Sequence, residues 1–167
     1  MNPVAQVEQA MIAYFAGDVR RINHFLKVYG FAKAIGELEG LDEAAQRTLE
    51  IAALTHDIGI KLSEQKYHSA SGEYQQLEGP AEAERLLTAL SIPSEVIRRV
   101  GWLIAHHHTY ADIRDADYQI LVEADFLVNI HEDGLSQTSI RQIEQNLFRT
   151  QTGISFLRAL YFPPQIP

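Results

Sequence analysis

Five ionisable side chains interrupt the apolar faces that the residue pattern predicts for the helices of this chain. They are His24, His56, Asp57, His107 and Asp125. Burial of an imidazole or a carboxylate without a partner is costly, so each position needs an explanation. Imidazole nitrogens and carboxylate oxygens are ligands of divalent metals, and helical bundles build metal sites from such side chains on facing helices. The pattern therefore predicts that these residues meet at a metal site.

Each of these positions also has a simpler explanation when it is taken alone. His24 starts an apolar line along its helix, where a single histidine is most often a hydrogen-bonded core residue. His56 and Asp57 precede a break at Gly59, so Asp57 also fits a solvated helix-end residue and His56 a favourable partner of the C-terminal dipole. Asp125 could pair with an arginine. The joint interpretation is favoured because each side chain falls on the core side of a helix.

A run of three histidines, His106 to His108, ends another predicted helix. Successive helical residues differ by about 100° in direction, so the three rings cannot share one face. His107 continues the apolar line of its helix and is the inward candidate. A solvated helix end is the alternative for the whole run. His131 and Glu132 end a later helix and are interpreted as surface residues.

The elements that must position these side chains are helices. Apolar residues recur at intervals of three and four along almost the whole chain, without stretches that alternate with period two. The sequence therefore predicts an all-α fold, a bundle of about seven to eight helices. The predicted helices cover residues 3–16, 18–39, 42–57, 80–90, 94–108, 115–132, a segment capped at Ser139, and 152–162. Residues 61–80 are polar and are predicted to form a connection that is functional or partly helical.

Composition narrows the classes of protein to which the chain can belong. Its 167 residues suit one domain, with 46% hydrophobic and 22% charged residues. The 14 lysines and arginines against 22 acidic residues give a net charge of −8, which disfavours binding to extended nucleic acid. The chain has no cysteine, so thiolate metal sites and cysteine nucleophiles are excluded. No run approaches the ~18 apolar residues of a membrane span, so we expect a soluble, cytoplasmic protein without a membrane partner.

The ordered motifs are similar to those of a known family. Arg21-Ile22-Asn23-His24, the His56-Asp57 doublet within residues 52–59, and Asp125 within Glu123-Ala124-Asp125 resemble the HD-domain phosphohydrolase superfamily, which is named for its His-Asp pair. The stretches LEGPAEAERLL, HHHTY and YQILVEADFLVNI look like a small, stand-alone bacterial subgroup. The resemblance implies one helical domain over 1–167, with a motif-bearing core at about 20–130 and C-terminal helices at 136–162. It also implies a divalent metal with the ligands His24, His56, Asp57 and Asp125.

The resemblance also implies roles for residues around that metal. Many members bind a second metal through two further histidines, and His107, with His106, matches one of these. The other place carries Glu78, which could ligate the metal or hold a water molecule. Asp57 could accept a proton from the attacking water, and His107 could orient the water or protonate the leaving oxygen. Lys61 could counter the charge of a substrate phosphate.

The function implied is metal-dependent hydrolysis of a phosphate ester or anhydride in a small, nucleotide-like substrate. One or two ions are expected per chain, and the nitrogen and oxygen ligands suit Mn, Fe, Co, Ni, Zn or, less well, Mg. Two alternatives stay open. The first is a catalytically degenerate HD module that binds a nucleotide or a protein partner. The second is oxidative chemistry on paired irons, which a few relatives carry out on this scaffold.

Overall fold

Helices form the whole regular structure of the part of the chain described by the computed structural model, residues 2–164. The all-α prediction is therefore confirmed. None of the helices in that range is both long and apolar enough to cross a membrane. The nine helices are α1 (Pro3–Tyr14), α2 (Val19–Leu38), α3 (Glu43–Thr55), α4 (Ile60–Tyr67), α5 (Gly72–Ala89), α6 (Ser94–His106), α7 (Ala116–Glu132), α8 (Gln137–Leu147) and α9 (Gln151–Tyr161).

The segment predicted as a polar connection is mostly helical. It contains most of α4 and the first half of α5, so that residues 2–164 form nine helices. Pro80 lies inside α5 instead of starting it. His68 ends α4 in the left-handed conformation, with φ of 53°. Tertiary packing overrides the serine, glycine and proline signals of this segment, because both helices cover the site described below.

Short polar side chains begin several of the helices. Asp18 accepts a hydrogen bond from the Arg21 backbone N–H at 3.2 Å, and Asp42 caps α3 in the same way at 2.9 Å. Ser136, three residues before the predicted cap at Ser139, begins α8. These caps fix the first turns of α2 and α3, and thereby the direction in which each helix enters the core.

The core lies where α2, α3 and α7 pack together, with α6 against α3 and α5 against α6. Helix α7 is the central element and is buried on nearly every side. Its apolar side chains meet those of α2 and α3, for example Leu121, Val28 and Leu54, all fully buried. Burial of such surface contributes roughly 25 cal/mol per Å². The same packing brings the N-terminal half of α2 and the middle of α7 close to the C-terminal ends of α3 and α6.

Candidate metal centre

Four side chains meet where α2, the end of α3 and α7 come together. His24 Nε2 lies 3.3 Å from Asp57 Oδ2 and 3.2 Å from Asp125 Oδ1. His56 Nε2 lies 3.3 Å and 3.5 Å from the same two oxygens. The two Nε2 atoms are 3.3 Å apart. We refer to His24, His56, Asp57 and Asp125 as the His/Asp cluster.

These separations fit a metal coordination shell. Ligand atoms bound to one ion at about 2.0–2.2 Å are separated by roughly 3.0–3.5 Å along the edges of the polyhedron. The five nitrogen–oxygen and nitrogen–nitrogen distances given above fall in or at the edge of this interval, and the ligand atoms of His24, His56 and Asp57 lie within reach of one ion. Nitrogen and oxygen donors in this combination suit a borderline or hard divalent ion. The residues present therefore fit the metal that the sequence motif implies.

The imidazoles are oriented as metal ligands. His24 Nδ1 lies 3.0 Å from a Glu132 carboxylate oxygen, and His56 Nδ1 lies 2.8 Å from the Ala53 carbonyl oxygen. Both partners are acceptors, so each Nδ1 carries the donated proton and each Nε2 lone pair is directed into the cluster. Partners of this kind fix the ring and raise the basicity of a ligating histidine. Asn129 similarly donates to Asp125 Oδ1 at 2.9 Å.

His107 adds a third imidazole to this group. Its Nδ1 lies 2.7 Å from the Ile104 carbonyl oxygen, so Nε2 is the acceptor nitrogen. That Nε2 is buried, makes no hydrogen bond and lies 3.4 Å from Asp57 Oδ1. A buried polar atom without a hydrogen-bond partner is uncommon and needs a specific explanation, such as a catalytic role, a bound water or a bound ion. Asp57 thus presents Oδ2 to the other cluster ligands and Oδ1 to His107.

The pKa values show that the cluster attracts positive charge. Burial opposes protonation of His56, but the neighbouring Asp57 and Asp125 carboxylates outweigh it and raise the pKa well above its usual value. The pKa of His24 is raised for the same reason. Burial also opposes ionisation of Asp57, yet His56 and His107 hold its pKa well below the usual range. Carboxylates that stay ionised here are ready to bind a cation, and a metal ion competes with the imidazole protons.

Two residues that sequence reasoning did not select complete the inner wall. His108 Nε2 lies 3.0 Å from Gln75 Oε1, and the rings of His107 and His108 are 3.9 Å apart. Burial, with His107 nearby, lowers the pKa of His108 to about 4. Asp57, His107 and His108 form a second group with metal-ligand spacing. Helical phase predicts that His107 and His108 lie on different faces, but α6 ends at His106 and the turning backbone brings both rings to the same place. An earlier end of the helix in the sequence interpretation would have allowed His108 to be selected.

Gln75 reaches the site because α5 approaches the α3–α4 corner very closely. A Cβ atom on Gly59 would lie 2.7 Å from the Gln75 carbonyl oxygen and 2.7 Å from the Gly79 nitrogen. Only glycine permits that approach of backbone to backbone. Gly59, which follows the His-Asp doublet, therefore sets the position of α5 against the cluster.

The structure does not place Glu78 or His106 at the site. Glu78 accepts hydrogen bonds from Lys66 and Tyr67, both at 2.7 Å, because the helical phase of α5 turns it towards α4. His106 stacks on Trp102, with ring centroids 4.1 Å apart, on the outer side of α6. Neither residue is therefore placed to bind a second metal or to position a water molecule.

The prediction for Lys61 needs a similar correction. Its ammonium group donates to the Tyr14 carbonyl oxygen at 3.2 Å and lies over the Tyr14 ring. It is therefore engaged by α1 and does not line the site. The interpretation of Glu132 as a surface residue is also wrong, since its carboxylate is the partner of His24.

A cleft of about 540 Å³ opens onto three members of the His/Asp cluster. His24, Asp57 and Asp125 line its floor, and Gln75 and His108 line the wall. Volumes of roughly 300–1,000 Å³ are usual for small-ligand sites. The residues at its rim are Asp18, Arg20, Arg21, Glu132 and Asp133. Among them, Arg21 is tied to the carboxylates of Asp18 and Glu64.

The fold is all-helical, and histidines and aspartates with metal-ligand spacing lie at its cleft. These features place the chain among helical proteins with a candidate metal site. The chain belongs to the HD-domain family, whose profile matches residues 21–143. This is a superfamily of metal-dependent hydrolases. A crystal structure of a predicted HD superfamily hydrolase from an uncultured Thermotogales bacterium has the same fold, with a TM-score of 0.68 and 21% sequence identity. The match covers 94% of this chain and 84% of that one. No curated protein matches the sequence.

Proposed function

We propose that the chain is a metal-dependent phosphohydrolase that cleaves a phosphate ester or anhydride of a small, nucleotide-like substrate. The observation that carries this proposal is the unpartnered, buried Nε2 of His107 beside Asp57 Oδ1, next to the other cluster ligands. The arrangement joins a metal-ligand set to an acceptor nitrogen that no structural hydrogen bond uses. Such a pair is expected where a water molecule is activated.

In this proposal His24, His56, Asp57 and Asp125 hold the metal. A divalent ion bound by them acidifies water and withdraws electron density from a phosphoryl oxygen. Glu132 and the Ala53 carbonyl hold the imidazoles in the tautomer that ligation needs. Asn129 holds the Asp125 carboxylate.

His107 supplies the proton transfer. Its Nδ1–H is committed to the Ile104 carbonyl, so Nε2 can accept a proton from the attacking water and later return it to the leaving oxygen. Asp57 Oδ1, 3.4 Å away, orients that water and stabilises the imidazolium that forms. The group of Asp57, His107 and His108 would hold a second ion if one binds, and His107 Nε2 would then be a ligand instead of the base.

The cleft supports a small phosphorylated substrate. Its volume of about 540 Å³ suits a small ligand and not a nucleic-acid duplex. The net charge of −8 further disfavours an extended polyanion as the partner.

Elemental analysis beside a phosphatase screen tests the proposal. The wild-type protein, His56→Ala and the control His106→Ala are each supplied with Mn, Fe, Co, Ni, Zn or Mg and then freed of loosely bound ions. We expect one or two ions per chain in the wild type and in His106→Ala, and almost none in His56→Ala. The metal-loaded wild type should hydrolyse members of a panel of nucleotides and other small phosphates, and His56→Ala should not.

The other outcomes are equally informative. Metal content and turnover that survive in His56→Ala would contradict the metal centre itself. Stoichiometric metal without turnover across the panel would support a binding module instead of an enzyme. Consumption of dioxygen by the iron-loaded protein would support oxidative chemistry.

A further inference from the structure

A shallow groove continues from the cleft between α2 and α7. It is lined by Arg20, Asn23 and Lys27 of α2 and by His131 and Glu132 of α7. Arg20 and Glu132 also line the cleft, so the groove and the cleft meet at these two residues. We call this surface the α2 groove. A ligand bound at the His/Asp cluster can extend into it.

The α2 groove carries unpaired positive charge. Arg20 and Lys27 are exposed, and neither takes part in an ion pair formed within residues 2–164. The neighbouring Arg21 is different, because it is tied to Asp18 and Glu64. The carboxylate of Glu132 is occupied by the His24 imidazole. In a chain with a net charge of −8, two cations on one helix that form no ion pair within residues 2–164 mark a place where an anion can bind.

The two cations of the α2 groove lie close, along the helix, to a residue of the His/Asp cluster. Arg20, Asn23 and Lys27 are separated by three and four residues and form one stripe along α2. At ~1.5 Å per residue the stripe is about 10 Å long. His24 belongs to the same stretch of helix, so both cations lie within about 6 Å of it along the helix axis. The guanidinium, amide and ammonium groups all donate hydrogen bonds to phosphate oxygens.

We propose that the α2 groove binds a second phosphate group of the substrate while the scissile phosphate lies at the His/Asp cluster. The substrate class is then a small molecule with two separated phosphates. This inference rests on the proposed function for the identity of the scissile group. Arg20 and Lys27 set the preference for such compounds over matched monophosphates, and Asn23 adds a neutral donor between them.

Binding of phosphonates tests the inference without any turnover, because their carbon–phosphorus bonds resist phosphohydrolysis. Isothermal titration of the metal-loaded protein compares alkane bisphosphonates that carry a phosphonate at each end with alkyl monophosphonates of equal chain length. The comparison uses the wild type, the double variant Arg20→Gln/Lys27→Gln, and a control, Arg98→Gln/Arg141→Gln. The control removes the same two charges from other exposed helical positions.

We expect the wild type to bind the bisphosphonates about tenfold more tightly than the monophosphonates, with a preference that weakens as salt is added. The ratio of the monophosphonate Kd to the bisphosphonate Kd should fall to about 1 in Arg20→Gln/Lys27→Gln and stay near 10 in the control. A wild type without the preference, or an equal loss in both double variants, would overturn the inference. A protein that prefers bisphosphonates but hydrolyses no phosphate would overturn only the hydrolase proposal. A protein that hydrolyses phosphates but does not prefer bisphosphonates would overturn only the proposal for the α2 groove.

Discussion

The Glu132 carboxylate accepts the Nδ1 proton of His24 over 3.0 Å, which links the end of α7 to the first metal ligand on α2. The hydrogen bond holds the His24 ring with Nε2 facing the cluster. A carboxylate behind a ligating histidine also makes the imidazole a stronger donor to the metal. Glu132 is thus part of the candidate site without touching the cluster centre.

Replacement of this carboxylate should weaken metal binding. Glu132→Gln keeps the shape of the side chain but removes its charge, so we expect the affinity for the bound metal to fall about 10–100-fold. A chelator competition titration measures the change. Glu37→Gln, an exposed acid on the same α2 helix as His24, serves as the control and should leave the affinity unchanged. Equal affinity in Glu132→Gln and the wild type would show that the carboxylate has no such role.

The adjacent residues His106 and His107 should differ sharply in their effect on turnover. His107→Ala removes the unpartnered Nε2 beside Asp57, and we expect kcat to fall about 10²–10⁴-fold. His106→Ala removes a ring that stacks on Trp102 outside the cleft, so kcat should change less than about twofold. Steady-state kinetics on the best substrate of the panel, with metal content measured in parallel, makes the comparison. Similar kcat values for the two variants would remove His107 from the mechanism.

Glu123 should be among the side chains that matter most for stability. It is fully buried, and its carboxylate accepts hydrogen bonds from the Gln119 side chain at 2.8 Å and the Thr150 backbone N–H at 2.9 Å. The Arg149 backbone N–H donates to the same carboxylate. Glu123→Gln places an amide NH₂ where an acceptor is needed. We therefore expect the free energy of unfolding to fall by about 2–3 kcal/mol.

Urea unfolding measures this change. The control is Glu43→Gln, which loses an exposed ion pair with Arg47 and should alter the free energy of unfolding by no more than about 0.5 kcal/mol. A comparable small effect for Glu123→Gln would mean that the amide finds acceptors of its own and that the buried charge is not required.

Two glycine-to-alanine changes should have opposite effects on stability. Gly59→Ala forces a Cβ against the backbone of α5 at 2.7 Å, and overpacking of this kind costs about 1–3 kcal/mol. Gly30 lies in the middle of α2 with open space around it, so Gly30→Ala should stabilise the protein by about 0.5–1 kcal/mol. Thermal unfolding followed by circular dichroism measures whether each variant is more or less stable than the wild type. A stabilising Gly59→Ala would show that α5 can move away from the doublet without cost.

The pattern of apolar and ionisable residues was enough to predict the helical fold and most of the cluster. Helical periodicity is local, so it identified the inward faces on which His24, His107 and Asp125 lie, and the structure brings these residues together with the His56-Asp57 doublet. Local polar signals also suggested a connection over residues 61–80, where packing forms most of α4 and the first half of α5.

The residues that surround the cluster depend on how the helices pack and on how the chain turns between them. Glu132 and His108 lie at or beyond helix ends, where direction depends on how the chain turns and not on helical phase. Gln75 and Glu78 differ by three positions on α5, and the close approach of that helix at Gly59 selects Gln75 for the cleft and leaves Glu78 with Lys66. Periodicity gives the face of each helix, but the angles and distances between helices arise from packing of the whole core.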